Sequence, residues 1–208
     1  MARLVQIHPE TPQNRLLVQA AQFIREGAIL ALPTDSCYAL CCHLGDKEAV
    51  DRIRNIRQID DRHHLTLMCR DLSEIANYAR VDNAQYRLLK AATPGSYTFI
   101  LEGSKELPRR VLHPKRKTIG LRIPDHRVAL DFLAELGEPL LTTTLQLPGD
   151  EAPLTEGWEI QDRLDDHIDW ILDAGHCGTE PTTVIDLTGS APELIRQGRG
   201  PLAPFGLD

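Results

Sequence analysis

The stretch Ala28-Ile29-Leu30-Ala31-Leu32-Pro33-Thr34-Asp35-Ser36-Cys37-Tyr38 is an apolar run that ends at a proline and gives way to polar residues. Five apolar residues between Gly27 and Pro33 are too few for a helix and suit a short buried strand. The break Thr34-Asp35-Ser36 then lies where a strand ends and a loop begins. Ligands gather at such places, because a rigid sheet edge fixes the loop side chains. Hydroxyls and a carboxylate can orient a small polar molecule, and the Tyr38 ring can cover it. The same residues also make an ordinary Asx/ST turn, which composition alone favours.

Working outward from this strand, Arg3 to Ile7 alternates as a second strand. Thr11-Pro12 reads as an N-cap and first-turn proline. Leu16, Leu17, Ala20, Ala21, Phe23 and Ile24 follow at helical spacing, up to Gly27. Asp46 is placed to cap a helix carrying Ala49, Val50, Ile53 and Ile56. Leu65 to Cys69, Tyr97 to Leu101, Ile119 to Ile123 and Pro139 to Thr144 read as strands. Asp71 to Ala76, Asn83 to Ala92 and a stretch capped by Asp125 through Leu133 read as helices. Ser104 to Lys117 is a basic loop, residues after Thr144 a polar one. Ile168 to Leu172, Thr183 to Leu187 and Glu193 to Arg196 are short late strands. Strands and helices mix without strict alternation. The expected architecture is therefore α/β (α+β): a twisted, mixed parallel and antiparallel sheet flanked by helices.

The 208 residues fit one domain, 1–208 with a core of about 12–200, and the apolar share of 42% is enough for a real core. No apolar run is long enough to span a membrane, and the N-terminus lacks the features of a signal peptide. A cytoplasmic location and no membrane partner are expected. The five cysteines, an odd number without C-x-x-C spacing, read as reduced thiols. Cys41-Cys42-His43 is not read as a metal site, since neighbouring side chains on a strand point to opposite faces. His63-His64 has no partner at ligand spacing and reads as loop or surface. Between Arg52 and Arg122 lie 15 of the 23 Lys and Arg but only 7 of the 30 Asp and Glu, a local balance of +8 that leaves −15 on the remainder. A basic middle on an acidic chain suits an anionic ligand in a local site.

Further polar groups cluster at strand ends. Arg54 and Arg57 are three apart and share a helical face, either around an anion or in solvent. Arg122 sits between Leu121 and Ile123, so it faces away from both. Thr144 and Gln146 alternate onto one face. Pro181-Thr182-Thr183-Val184-Ile185-Asp186 and Arg196-Gln197-Gly198 complete the set. No nucleotide-binding glycine loop, metalloprotease or nucleophile-elbow motif occurs.

Taken in order, these segments resemble the YrdC-like family, that of the threonylcarbamoyl-AMP synthases. Leu32 to Leu40 is similar to its Pro-Thr-Asp-Thr-x-Tyr-Gly-Leu signature. Pro94 to Leu101 is similar to its Pro-Gly-x-x-Thr strand, and Ile119 to His126 to Val-Gly-x-Arg-x-Pro-Asp-His. Pro181 to Asp186 and Leu194 to Gly198 are similar to Pro-Ser-Thr-Val-x-Asp and Leu-x-Arg-x-Gly. With Cys69 to Ile75, the pattern is nearest the YciO branch. The resemblance implies a twisted mixed sheet around a large basic cavity. It implies an enzyme, a nucleotidyltransferase that joins ATP, L-threonine and bicarbonate into threonylcarbamoyl-AMP with release of pyrophosphate, for tRNA adenosine modification. No tightly bound cofactor is implied, only Mg²⁺ with ATP. It implies Thr34, Tyr38 and Arg122 for threonine or carbamate, and Arg57, Thr144, Gln146, Thr182, Thr183 and Arg196 for the nucleotide and phosphates. Members of the family have also been described as binding double-stranded RNA or tRNA, the alternative function.

Two positions depart from the pattern. Asn55-Ile56-Arg57 stands where the family has Lys-x-Arg, with Arg54 as the candidate substitute for the lysine. Thr144-Leu145-Gln146 stands where it has Ser-x-Asn. Loss of a preorganised phosphate donor costs on the order of 3–4 kcal/mol of transition-state stabilisation. The anion cavity is thus the firm expectation, and synthase turnover is what the substitutions put at issue.

Overall fold

The computed structural model describes residues 1–207. Strands β1 (Arg3–Gln6), β2 (Leu30–Leu32), β3 (Ala39–His43), β4 (Thr66–Met68), β5 (Tyr97–Glu102), β6 (Thr118–Arg122), β7 (Leu140–Thr144), β8 (Trp170–Asp173), β9 (Thr183–Asp186) and β10 (Glu193–Arg196) form one sheet. Its order is β1-β8-β2-β3-β7-β4-β6-β5-β9-β10. The pairs β1–β8, β8–β2, β4–β6 and β5–β9 are parallel and the others antiparallel, so the sheet is mixed. It already includes β1, upstream of residue 12. Helices α1 (Asn14–Arg25), α2 (Lys47–Arg57), α3 (Leu72–Tyr78), α4 (Asn83–Ala92), α5 (Arg127–Leu136) and α6 (Gly157–Leu164) flank it.

The two faces of the sheet are covered differently. On one face Leu40, Leu67, Phe99, Leu121, Leu141, Ile171 and Ile185 form a continuous core under α2, α3, α4 and α6. On the other, Leu30, Leu32, Cys41, Met68, Leu140, Trp170 and Leu172 pack against Leu17, Ala20 and Ile24 of α1 and Val128, Phe132 and Leu133 of α5. The cover that those two helices give extends over β8-β2-β3 and ends at Leu140 of β7 and Met68 of β4. Beyond it, the same face carries Thr142, Thr66, Gly120 and Thr98 in place of large apolar residues, so nothing there demands a covering helix.

Most expected elements stand within a residue or two of their sequence reading, α4 and β10 at the same bounds. Four points differ. The strand β3 was not anticipated, because Ala39-Leu40-Cys41-Cys42-His43 has no β-branched residue; pairing with β2 and β7 supplies what propensity does not. The helix α6 falls in what reads as a polar loop. Thr11 does not cap α1, since its hydroxyl lies 3.0 Å from His8 Nδ1 and the N-cap is Gln13. The N-cap of α5 is His126, without a side-chain cap bond, and not Asp125. Cys41 and Cys42 do face opposite cores, and all five cysteines are buried and free. Among the described residues no helix is long and apolar enough to cross a membrane.

Asp46 caps α2 as expected, accepting from the Ala49 amide at 2.9 Å. Asp46→Ala is expected to lower unfolding free energy by about 1 kcal/mol, measured by urea denaturation.

Candidate functional site

The uncovered part of the sheet face is the floor of a cavity of about 280 Å³. Thr142, Thr144, Thr66, Gly120, Arg122, Thr98, Val184 and Arg196 all contribute to its lining, at the alternate positions that strand periodicity puts on one face. Gly120 makes the floor deep. A Cβ there would stand 3.0 Å from Thr98 Cγ2 and 3.3 Å from Thr66 Oγ1, in the space a ligand would use. Arg62, His63 and His64, in the loop before β4, line the cavity from one side, and Ser36, Cys37 and Tyr38 from another. The lining contains no aspartate or glutamate.

Arg122 is the best-held cation of the site. Its side chain is 7% exposed and pairs with Asp35, itself 10% exposed. Its Nη1 also donates to Ser36 Oγ at 3.3 Å. Ser96 Oγ donates to the other Asp35 oxygen at 2.6 Å, so the carboxylate is fixed from two sides. The Nε of Arg122 is buried and has no partner. Burial pulls the guanidinium below its ordinary pKa, and Asp35 opposes that pull. Asp35 and Ser36 take two of its five N–H groups, so a preformed, charge-balanced cation borders the cavity.

Arg196 donates through Nε and Nη2 to the Thr182 carbonyl, at 3.2 and 2.8 Å. A neutral acceptor leaves its charge uncompensated. The Thr182 and Thr98 hydroxyls lie 2.8 Å apart on the cavity wall. The Cys37 thiol is pushed up to about 11 by burial, against the pull of Arg122, Arg196 and Arg199. It stays protonated at neutral pH and is no nucleophile. The pKa values of His63 and His64 are lowered, first by burial and then by neighbouring basic groups: Arg57 and Arg54 for His63, the His113 ring for His64. Both remain neutral at pH 7 and offer hydrogen bonds instead of charge.

Of the residues singled out from sequence, Arg122, Arg196, Thr144, Thr182 and Tyr38 border the cavity. Others are engaged elsewhere. Thr34 Oγ1 donates to the Cys37 carbonyl at 2.6 Å and accepts from the Ser36 and Cys37 amides. It forms the turn that the bland reading described. Tyr38 points its hydroxyl away, to the Gly175 carbonyl at 2.7 Å and Asp173 at 3.3 Å. Thr183 is fully buried; its Oγ1 donates to the Gly200 carbonyl and accepts from the Gly198 amide. Gln146 donates to the Asp150 carbonyl at 2.9 Å. Arg54 is tied to the Asp60 carbonyl at 2.5 Å and to Asp61 at 3.8 Å, which fixes the loop after α2. Asn55 faces a larger groove, of about 630 Å³, between α2 and α6. Arg57 has a buried Nε without a partner and acts on His63, a lining residue.

Sequence reasoning missed Asp35 as the partner of Arg122, and Arg62, His63, His64 and Thr98 as lining. His63-His64 reads as mere loop or surface because its neighbours are distant in sequence. His64 stacks on His113 at 5.1 Å and lies 2.9 Å from Thr118 Oγ1. The usable signal was position, a polar cluster directly before a strand.

A family profile described as telomere recombination, Sua5/YciO/YrdC, matches residues 22–198. The chain belongs to the Sua5/YciO/YrdC family. It is 51% identical to Escherichia coli YciO over 205 residues, 99% of this chain and 100% of that one. The crystal structure of that protein superposes with a TM-score of 0.95 over 99% of this chain and 100% of that one. The threonylcarbamoyl-AMP synthase of Mus musculus is 30% identical over 172 residues, 79% of this chain and 60% of that protein. P. abyssi Sua5 complexed with L-threonine is 27% identical with a TM-score of 0.89, covering 97% of this chain and 59% of that chain.

Two predictions follow from the charges of the site. Asp35→Ala strands a buried guanidinium and is expected to cost about 3–5 kcal/mol of stability in urea denaturation. His64 and His126 have pKa values lowered by burial, and His126 Nδ1 is buried without a partner. Their folded pKa lies below the unfolded value of about 6.5, so their stability contribution is full above that pH and lost as pH falls through the folded pKa. The melting temperature is expected to drop between pH 7 and pH 5, and less steeply in His126→Asn than in the wild type.

Proposed function

We propose that this chain is a nucleotidyltransferase of the threonylcarbamoyl-AMP synthase type, acting on ATP and L-threonine or a closely related amino acid in the central cavity. The observation that carries the reading is the cavity itself: threonine hydroxyls on its floor, Arg122 and Arg196 in its wall, and no carboxylate in its lining. Its volume, about 280 Å³, suits an amino acid together with the reacting end of a nucleotide, the rest of which extends through the mouth. The relatives named as synthases, and the one solved with L-threonine, support the same reading.

The threonine amine and bicarbonate condense to a carbamate with loss of water. A carbamate oxygen attacks the α-phosphorus of ATP, the bond to the bridging oxygen breaks, and pyrophosphate leaves. No covalent enzyme intermediate is required, so positioning and charge neutralisation do the work. Arg122 borders the cavity with N–H groups beyond those given to Asp35 and Ser36 and suits a carboxylate or carbamate oxygen, and its charge is already balanced by Asp35. Arg196 and Arg57 carry uncompensated charge and suit phosphates. A divalent cation would arrive on the triphosphate, because Mg²⁺ is usually held through substrate phosphates.

The test is pyrophosphate release from ATP, Mg²⁺ and bicarbonate, with and without L-threonine. Threonine-dependent release is expected, slow because position 55 carries no lysine, and reduced at least a hundredfold in Arg196→Ala. Release that ignores threonine, or none above background, refutes the reading.

A second reading, binding of tRNA or double-stranded RNA, is favoured by the segment from Ser104 to Lys117. It exposes Lys105, Arg109, Arg110, Lys115, Arg116 and Lys117, and Glu106 is its only acid. The His64–His113 stack sets this loop beside the cavity mouth. RNA binding that weakens with salt, and weakens further in a Lys115→Ala, Arg116→Ala double variant, would support it.

A further inference from the structure

The polypeptide after β10 is pinned on both sides of one arginine. The Gly198 amide donates to Thr183 Oγ1 at 3.0 Å, the Arg199 amide to the Pro181 carbonyl at 2.9 Å, and Thr183 Oγ1 to the Gly200 carbonyl at 2.7 Å. Tyr97 Oη then holds the Pro201 carbonyl at 2.7 Å. Both flanking glycines are obligatory. A Cβ at Gly198 would lie 2.2 Å from the Pro181 carbonyl oxygen, and one at Gly200 would lie 2.4 Å from the Tyr97 ring. The backbone is thus fixed by four hydrogen bonds and two close approaches, while the Arg199 side chain has no hydrogen bond or ion pair among the described residues.

The direction of that side chain is also defined. Its Nη1 lies 3.5 Å from where a Cβ would stand on Gly178, and the same point is 2.9 Å from the Ser36 carbonyl. The guanidinium therefore reaches the Ser36–Cys37 turn that walls the cavity, where it acts on the Cys37 thiol with Arg122 and Arg196. The side chain is exposed and lines an open groove of about 370 Å³ between residues 93–97 and 199–201, outside the lining of the cavity itself. Asp35 is the one carboxylate acting on that thiol, and it already pairs with Arg122. The fixed backbone confines where the unpartnered cation can reach, and its planar fork is preorganised for an oxyanion.

We propose that Arg199 is a ligand-binding residue, holding an oxyanion of the molecule in the cavity at the border between the cavity and this outer groove. The inference deepens the functional reading above, since a phosphate or a carboxylate of the proposed substrates would supply that oxyanion. It does not need turnover.

The test is calorimetric titration of wild type, Arg199→Ala, Arg199→Lys and the surface control Arg87→Ala, on α4, with inorganic pyrophosphate and, separately, L-threonine. For at least one of the two probes, Arg199→Ala is expected to weaken binding about tenfold or more, with partial rescue by lysine and no effect of the control. The probe affected tells phosphate from carboxylate. The melting temperature of Arg199→Ala should match wild type, because the side chain supports nothing else. Affinities within twofold of wild type for both probes, or no binding of either by the wild type, overturn the proposal. Weakened binding in Arg199→Ala with no threonine-dependent pyrophosphate release by the wild type would keep Arg199 as a binding residue and remove the synthase reading.

Discussion

The Asp35–Arg122 ion pair joins the turn after β2 to the end of β6, strands that three others separate in the sheet. Both partners are almost fully withdrawn from water, so each makes the other tolerable there. Ser36 adds a hydrogen bond from the same turn as Asp35, and Ser96 one from the segment before β5. The pair thereby fixes the Thr34–Tyr38 turn over the sheet and leaves guanidinium N–H groups unspent. Fold and site meet at this interaction. A buried ion pair is a poor source of stability compared with apolar packing, and its use here makes sense where a preorganised donor is wanted.

The second constraint is the unequal covering of one sheet face. Helices α1 and α5 bury the β8-β2-β3 side and, at its boundary, Leu140 of β7 and Met68 of β4. Past that boundary the same alternation continues with threonine, glycine and arginine. Threonine keeps a high strand propensity while offering a hydroxyl, so the strands persist without a hydrophobic cover. The cavity is consequently part of the sheet and not a gap between domains, and its floor is as rigid as the core on the opposite face.

Much of this was legible in the sequence. Period-two and period-3.6 patterns located most elements, and the strand-end polar clusters named Arg122, Thr144, Thr182 and Arg196, which do border the cavity. What was not legible depends on distant partners. Thr34 and Thr183 have the same hydroxyl chemistry as Thr182, yet their hydrogen bonds are spent on the backbone. Tyr38 borders the cavity but sends its hydroxyl into a loop near Gly175. Arg54 and Arg57 share a helical face on paper; one is consumed by the Asp60–Asp61 loop and the other is left free. The strand β3 escaped notice because its residues are poor strand formers held by two neighbours, and α6 because its apolar positions are spaced among acids and a glycine.

The central claim is that the uncovered sheet face is where the small anionic ligand binds. Gly120 gives direct access to it, because a side chain there would grow between Thr66 and Thr98 into the cavity. The measurement is calorimetric titration of wild type and Gly120→Val with L-threonine and with ATP, alongside their melting temperatures. The account predicts that the wild type binds at least one of them and that the valine abolishes this binding while the protein still unfolds cooperatively, at a temperature lowered only by the close contacts with Thr98 and Thr66. Equal affinity in the two proteins, or no binding of either ligand by the wild type, would contradict it.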